Sequence, residues 1–200
     1  LTGKLSKPKS YAIVFLKWLF LGFLMGAWGG LLGAAFHHAL HFVTHLRTEN
    51  TWLVLLLPVG GLLSVAWYKL LGLRKNRGTN EIIESALSGN RVNPKVALAI
   101  FLSTATTHLL GGSAGREGAA LQLGGSVASL LGRIFRFQAE DRKVLIMAGM
   151  SAVFAGLFGT PLTAAVFALE VVSVGVMYYS AIVPTLCSAL VALLVSTAMG

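Results

Sequence analysis

Residues 111–126 read GGSAGREGAALQLGGS. Arg116 and Glu117 stand side by side between Gly115 and Gly118, and long runs of Leu, Ile, Val, Ala and Phe flank the stretch on both sides. A carboxylate set among glycines in so apolar a chain needs a reason. An ionisable group at membrane depth is costly and marks an ion or proton path by default.

The surroundings support that depth. The 200 residues are 56% hydrophobic and 12% charged, where a soluble domain carries roughly a quarter charged residues. The mean hydropathy of +0.77 agrees. The fold class expected is all-α integral membrane, because the short alternating segments of a β-barrel are absent. The net charge of +9 does not imply nucleic acid. Its carriers sit in short clusters between apolar runs: Lys4, Lys7 and Lys9; Arg74, Lys75 and Arg77; Arg91 and Lys95; Arg133, Arg136, Arg142 and Lys143. That is the distribution of positive-inside charge, and no basic-aromatic surface accompanies it. The lone Cys187 excludes an intrachain disulfide and a cysteine-based zinc site. The first apolar run is too long for a cleavable signal and lacks a small-residue cleavage site.

Residues 1–10 read as a polar, basic lead-in. One long helix is expected from Tyr11 to about His45, with Gly22, Gly26 and Gly30 four apart, and Gly29 and Gly33 likewise. In lipid such spacing lets another helix approach closely. A polar turn at 46–51 precedes a second span, Thr51 to Leu71. A short amphipathic helix follows, Glu81 to Leu87, then a third span over 94–111 with polar breaks at Ser103, Thr104, Thr106, Thr107 and His108. A helix resumes from Glu117 to Arg133, a charged loop covers 134–143, and an apolar span covers 144–158. A break at Gly159-Thr160-Pro161 starts a short helix ending near Glu170, and a last span runs from Met177 to the end without a polar tail, as if cut short. The basic clusters place the N-terminus, 72–95 and 133–143 on the cytoplasmic side. Residues 96–133 and 144–170 then each go out and return.

Three places share one pattern, a turn-forming residue followed by a short helix inside apolar sequence: Gly78-Thr79-Asn80, Gly115-Arg116-Glu117-Gly118 and Gly159-Thr160-Pro161. Irregular backbone at membrane depth is tolerated where it is buried in protein or lines a wet cavity. A helix start there offers free N–H groups and a positive dipole end to an anion. Backbone around 78–82 and 115–120 is therefore the candidate anion site: Gly78, Thr79, Asn80, Glu81, Ile82, Gly115, Arg116, Gly118 and Ala119. Glu117 would compete with the anion when ionised and carry a proton when neutral. Plainer readings stand beside this one. The glycine run also suits a surface turn with Arg116 and Glu117 solvated. Asn80 suits a turn or helix cap, and Glu170 a helix end. It is not a phosphate-binding loop, since no Gly-Lys-Ser/Thr follows. His37, His41 and His45 share a helix face with His38 beside it, but no carboxylate or cysteine joins them, so no metal is expected. No cofactor is implied, and no nucleophile–base pair points to an enzyme.

"GGSAGREGAALQLGGSVASLLGR" resembles the Gly-Lys/Arg-Glu-Gly-Pro region of the CLC chloride channels and anion/proton antiporters. "AGLFGTPLTAAVFALE" resembles that family's next signature, and "EIIESAL" the short helix after its first anion-binding loop. The resemblance covers residues 1–200 as one of the family's two inverted-repeat halves, with broken, re-entrant helices and the second repeat absent from these residues. It implies Glu117 as the gating and proton-coupling glutamate. It also implies a homodimer meeting through about 161–200. The usual Gly-Ser-Gly-Ile-Pro loop is here Gly78-Thr79-Asn80-Glu81-Ile82. Ala119 replaces the proline, and Val171 stands where chloride/proton antiporters carry a second glutamate. These departures resemble the fluoride/proton antiporter branch, from which Thr79 and Glu81 depart in turn. Fluoride is strongly hydrated and needs dense donors, and an Asn amide offers two N–H groups against one hydroxyl. The expected function is transport of a small halide, fluoride export coupled to proton entry. A chloride channel or chloride/proton antiporter is the alternative, and a non-transporting scaffold half is another.

Overall fold

Backbone N–H and C=O groups in an apolar medium must bond within their own segment, and the chain answers with helices. The computed structural model describes the backbone of residues 7–73 and 77–200. Lys4, Arg74 and Lys75, and most of the basic lead-in, lie outside the described residues. The described helices are α1 (Lys7–Glu49), α2 (Leu57–Leu70), α3 (Thr79–Ser88), α4 (Lys95–Leu109), α5 (Arg116–Ile134), α6 (Ala139–Phe158), α7 (Pro161–Glu170) and α8 (Tyr179–Ala198). Among the described residues, three helical stretches are long and apolar enough to cross a membrane: Tyr11–Glu49, Thr51–Leu70 and Tyr179–Ala198.

Several expected boundaries move, each for a local reason. The turn expected at 46–51 is helical to Glu49. Its polar side chains bond backward onto the helix, Thr48 Oγ1 to the His45 carbonyl at 2.7 Å and the Asn50 amide to the Leu46 carbonyl at 3.0 Å. The second span opens with a 3-10 stretch, Thr51–Leu56, before α2 begins. The polar breaks expected in 94–111 do not break α4. Thr106 and Thr107 donate to the carbonyls of Leu102 and Ser103, and His108 Nδ1 lies 2.9 Å from the Thr104 carbonyl. The charged loop expected at 134–143 shrinks, because α6 already starts at Ala139. Glu140 and Asp141 occupy its first turn, where the helix dipole favours acids. Asp141 also takes Lys17 of α1 at 2.6 Å, and Arg142 Nε donates to the Gly89 carbonyl at 2.8 Å.

α6 is the axis of the fold. Every residue from 144 to 157 is buried, and α1, α5, α7 and α8 pack around it. The glycines of α1 divide this work. A Cβ added at Gly26 would meet the Ser188 carbonyl oxygen at 2.6 Å, and one at Gly30 the Ala192 carbonyl oxygen at 2.7 Å, both on α8. A Cβ at Gly33 would lie 2.8 Å from the Gly156 carbonyl carbon on α6, and Gly29 faces Ala152. Two small-residue stripes on one helix thus serve two neighbours. With no hydrophobic driving force between helices in lipid, such contact is what holds them. α5 crosses α6 at Gly149, whose added Cβ would lie 2.5 Å from the Gly124 carbonyl oxygen. By contrast α2 buries only Gly60.

Candidate functional site

All three sequence breaks start helices, α3 at Thr79, α5 at Arg116 and α7 at Pro161. Gly78 precedes α3 with φ 63° and ψ −138°, a conformation essentially reserved for glycine. Asn80 therefore sits inside the first turn of α3 with its side chain exposed, and is not the cap residue. Ile82 is fully buried and packs against Gly125, which pins α3 to α5.

The α3 and α5 starts meet. Gln122 on α5 donates from Nε2 to Thr79 Oγ1 at 3.2 Å and to the Gly118 carbonyl at 3.3 Å. A Cβ on Gly118 would stand 3.1 Å from Thr79 Oγ1, so the glycine permits that approach. Gly115 enters α5 in an extended conformation. Arg116 and Glu117 are exposed on the first turn, and Ala119 is buried behind them. Among the described residues neither Arg116 nor Glu117 forms an ion pair. Glu117 Oε2 lies 3.4 Å from where a Gly115 Cβ would be, so the carboxylate folds back over the glycine mouth. The result is two helix starts that meet through Thr79, Gln122 and Gly118, beside the exposed carboxylate of Glu117.

The structure does not bring every candidate here. The α7 start stands apart, because α7 packs on α6 and α8. Its first residue, Pro161, has no N–H to offer. Glu81 stands beside the site and also lines a polar cavity of about 270 Å³ with Arg77, Glu84, Ser85, Asn90 and Arg91. Arg77 pairs there with Glu84 at 2.9 Å. Glu170 Oε2 accepts the Gly175 N–H at 3.2 Å, which ties down the turn after α7. Val171 caps α7. On the last turns of α1, His45 Nδ1 approaches Glu49 at 3.7 Å, and no three metal-ligating side chains gather among the described residues.

Gln122 is the site residue that sequence reading missed. It is 5% exposed, buried in an Ala-Leu-Gly stretch where a polar side chain must have a partner. That mismatch was its one available signal.

The family model described as voltage gated chloride channel matches residues 60–200. A chloride/fluoride channel protein of Pseudomonas syringae pv. tomato is 40% identical over 185 residues, 92% of this chain and 41% of that protein. The H(+)/Cl(-) exchange transporter ClcA of Vibrio campbellii is 29% identical over 180 residues, 82% of this chain and 37% of that one. The crystal structure of a CLC-type fluoride/proton antiporter superposes with a TM-score of 0.85 at 34% identity, over 92% of this chain and 47% of its own. The chain spans less than half the length of each of these relatives.

Proposed function

The chain belongs to the voltage gated chloride channel family, and from that premise we propose that it supplies one half of a membrane anion transporter, with fluoride export coupled to proton entry through Glu117. One observation carries the reading: the α3 and α5 starts are bridged through Thr79, Gln122 and Gly118, directly beside Glu117. Backbone N–H groups at the α3 and α5 starts bind the anion in place of water. Asn80 adds side-chain donors, and Arg116 draws anions to the mouth. Ionised, Glu117 occupies the anion's place. Protonated, it leaves and carries its proton. Similarity to a fluoride/proton antiporter and a chloride/fluoride channel protein supports fluoride.

The cytoplasmic N-terminus and a homodimer through α7 and α8 belong to the same proposal. The outward Leu162 and Val166 of α7, and Leu190 and Leu194 of α8, are exposed and apolar, as a partner face requires.

A chloride-selective reading has its own support in the similarity to an H(+)/Cl(-) exchange transporter. The deciding experiment measures fluoride and chloride efflux with ion-selective electrodes, from matched liposomes holding the full-length protein. Faster fluoride efflux that takes up protons is expected. Equal or faster chloride efflux gives the function to the chloride reading.

A further inference from the structure

α3 and α5 run side by side in the same direction, and the chain ties them at both ends. At their starts Thr79 meets Gln122, which also bonds Gly118. Further along, Ile82 lies on Gly125. Just past α3, the Val92 N–H donates to Ser129 Oγ of α5 at 2.9 Å in a buried contact. At the far ends stands Arg142, which belongs to neither helix but to the first turn of α6.

Arg142 is built into that position. Its Nε donates to the Gly89 carbonyl at 2.8 Å and its Nη1 to the Phe137 carbonyl at 2.5 Å. Gly89 is the left-handed cap of α3, with φ 72°, and a Cβ there would collide with the Ala139 carbonyl oxygen. Phe137 follows the end of α5, and its N–H donates back to the Gly132 carbonyl at 2.9 Å. Gly132 leaves room for the arginine stem, whose Cγ would stand 3.0 Å from a Cβ at that glycine. α3 has no basic residue in its own last turn. A cation is favoured at a helix C-terminus, and here α6 lends one to α3 while holding the turn after α5. One planar guanidinium thus fixes both far ends.

The two ties differ in strength. At the starts the bonds are neutral, at 3.2 and 3.3 Å, and Ile82 rests on a glycine that offers no side chain to stop it sliding. At the far ends the donor is ionised, and such bonds are shorter and roughly twice as strong. A slip of one residue along a helix is about 1.5 Å, enough to part Thr79 from Gln122. The stronger tie therefore decides where the weaker one sits. Resting on the anion-binding role proposed above for these starts, we propose that Arg142 is their positioning residue. From the opposite end of α3, about 15 Å away by helix length, it sets the axial offset of α3 on α5 and so the alignment of the two starts.

The test measures initial fluoride efflux over a range of internal fluoride concentrations, from liposomes holding the full-length protein as wild type, Arg142→Lys, Thr79→Val or the double variant. Lysine keeps the charge at the end of α3 but offers one nitrogen, which cannot fork between two carbonyls. Arg142→Lys should raise the half-saturating fluoride concentration about fivefold, within the range by which packed residues away from a site change its affinity. The maximal rate per folded protein should stay at wild type. Arg142→Gln, which also loses the fork, should act the same way and carries the test if Arg142→Lys does not fold. Sites this far apart ordinarily contribute independently. If both hold one offset, the double variant departs from the product of the two single effects by about threefold. An arginine that only stabilises the fold would lower the yield of folded protein and leave the half-saturating concentration unmoved, and that result overturns the proposal. A double variant equal to the product of the single effects overturns it as well. Wild type without saturable fluoride efflux instead overturns the fluoride-transport reading on which the proposal rests.

Discussion

The starts of α5 and α7 are built from the same sequence device and end in different circumstances. A glycine stands one residue before α5 and two before α7, and each start lies between apolar runs. The α5 start meets the α3 start across the Thr79–Gln122 hydrogen bond and holds an exposed carboxylate. The α7 start packs on α6 and α8, opens with a proline, and holds no charge in its first turn. On the reading proposed above, a helix start becomes an ion site when a second start joins it. A break in a helix is not enough.

The hardest blow to this contrast falls on Glu117. If α5 owes its role to that carboxylate, Glu117→Gln abolishes proton movement while the full-length protein still passes anions, read as anion-driven proton uptake in liposomes. Retained proton uptake would return Arg116 and Glu117 to ordinary surface charges. Asn80→Ala is next in size. It removes side-chain donors from the α3 start, and a hydrogen bond to a charged group is worth about 1.5–3 kcal/mol, tenfold or more in relative affinity. Fluoride preference over chloride should fall by about that factor, with expression unchanged. If preference survives, selectivity resides in other donors. Gly118→Ala probes the bridge itself. Its new methyl would stand 3.1 Å from Thr79 Oγ1 and push that hydroxyl away from Gln122. About a fewfold loss of anion affinity is expected, the scale of a strained neutral hydrogen bond. Unchanged affinity would mean the two starts need not touch.

The contrast also shows what could be read in advance. The starts of α3, α5 and α7 were visible because glycine and proline punctuate a chain locally. The two glycine stripes of α1 were visible as spacing, but not their partners. Whether Gly26 meets α8 or α6 depends on a helix more than 150 residues away and leaves no trace in α1 itself. The early start of α6 was hidden because four charged residues resemble a loop until the groups they bind are known: Lys17 on α1 and the Gly89 carbonyl after α3. Gln122 was hidden for the same reason, with its partner Thr79 forty-three positions away. Local chemistry was legible, and long-range pairing was not.

Pro161→Ala should have the smallest effect, and it tests the other side of the comparison. Alanine restores an N–H at the first position of α7. If free N–H groups alone made an anion site, the substitution would improve one and alter anion flux or selectivity. The packing argues otherwise. α7 lies against α6 and α8, and the proposed site gathers where α3 meets α5. The backbone is set independently of the proline, since Gly159 takes φ 69° and closes α6 by donating to the Ala155 carbonyl at 2.8 Å. Proline at a first helical position spares a donor that would be unsatisfied anyway. Its loss should therefore change stability by no more than about 0.5 kcal/mol. Fluoride and chloride efflux measured side by side with wild type should superimpose. A shift in their ratio would mean that the α7 start reaches the anion path after all, and the distinction between the two helix starts would have to be withdrawn.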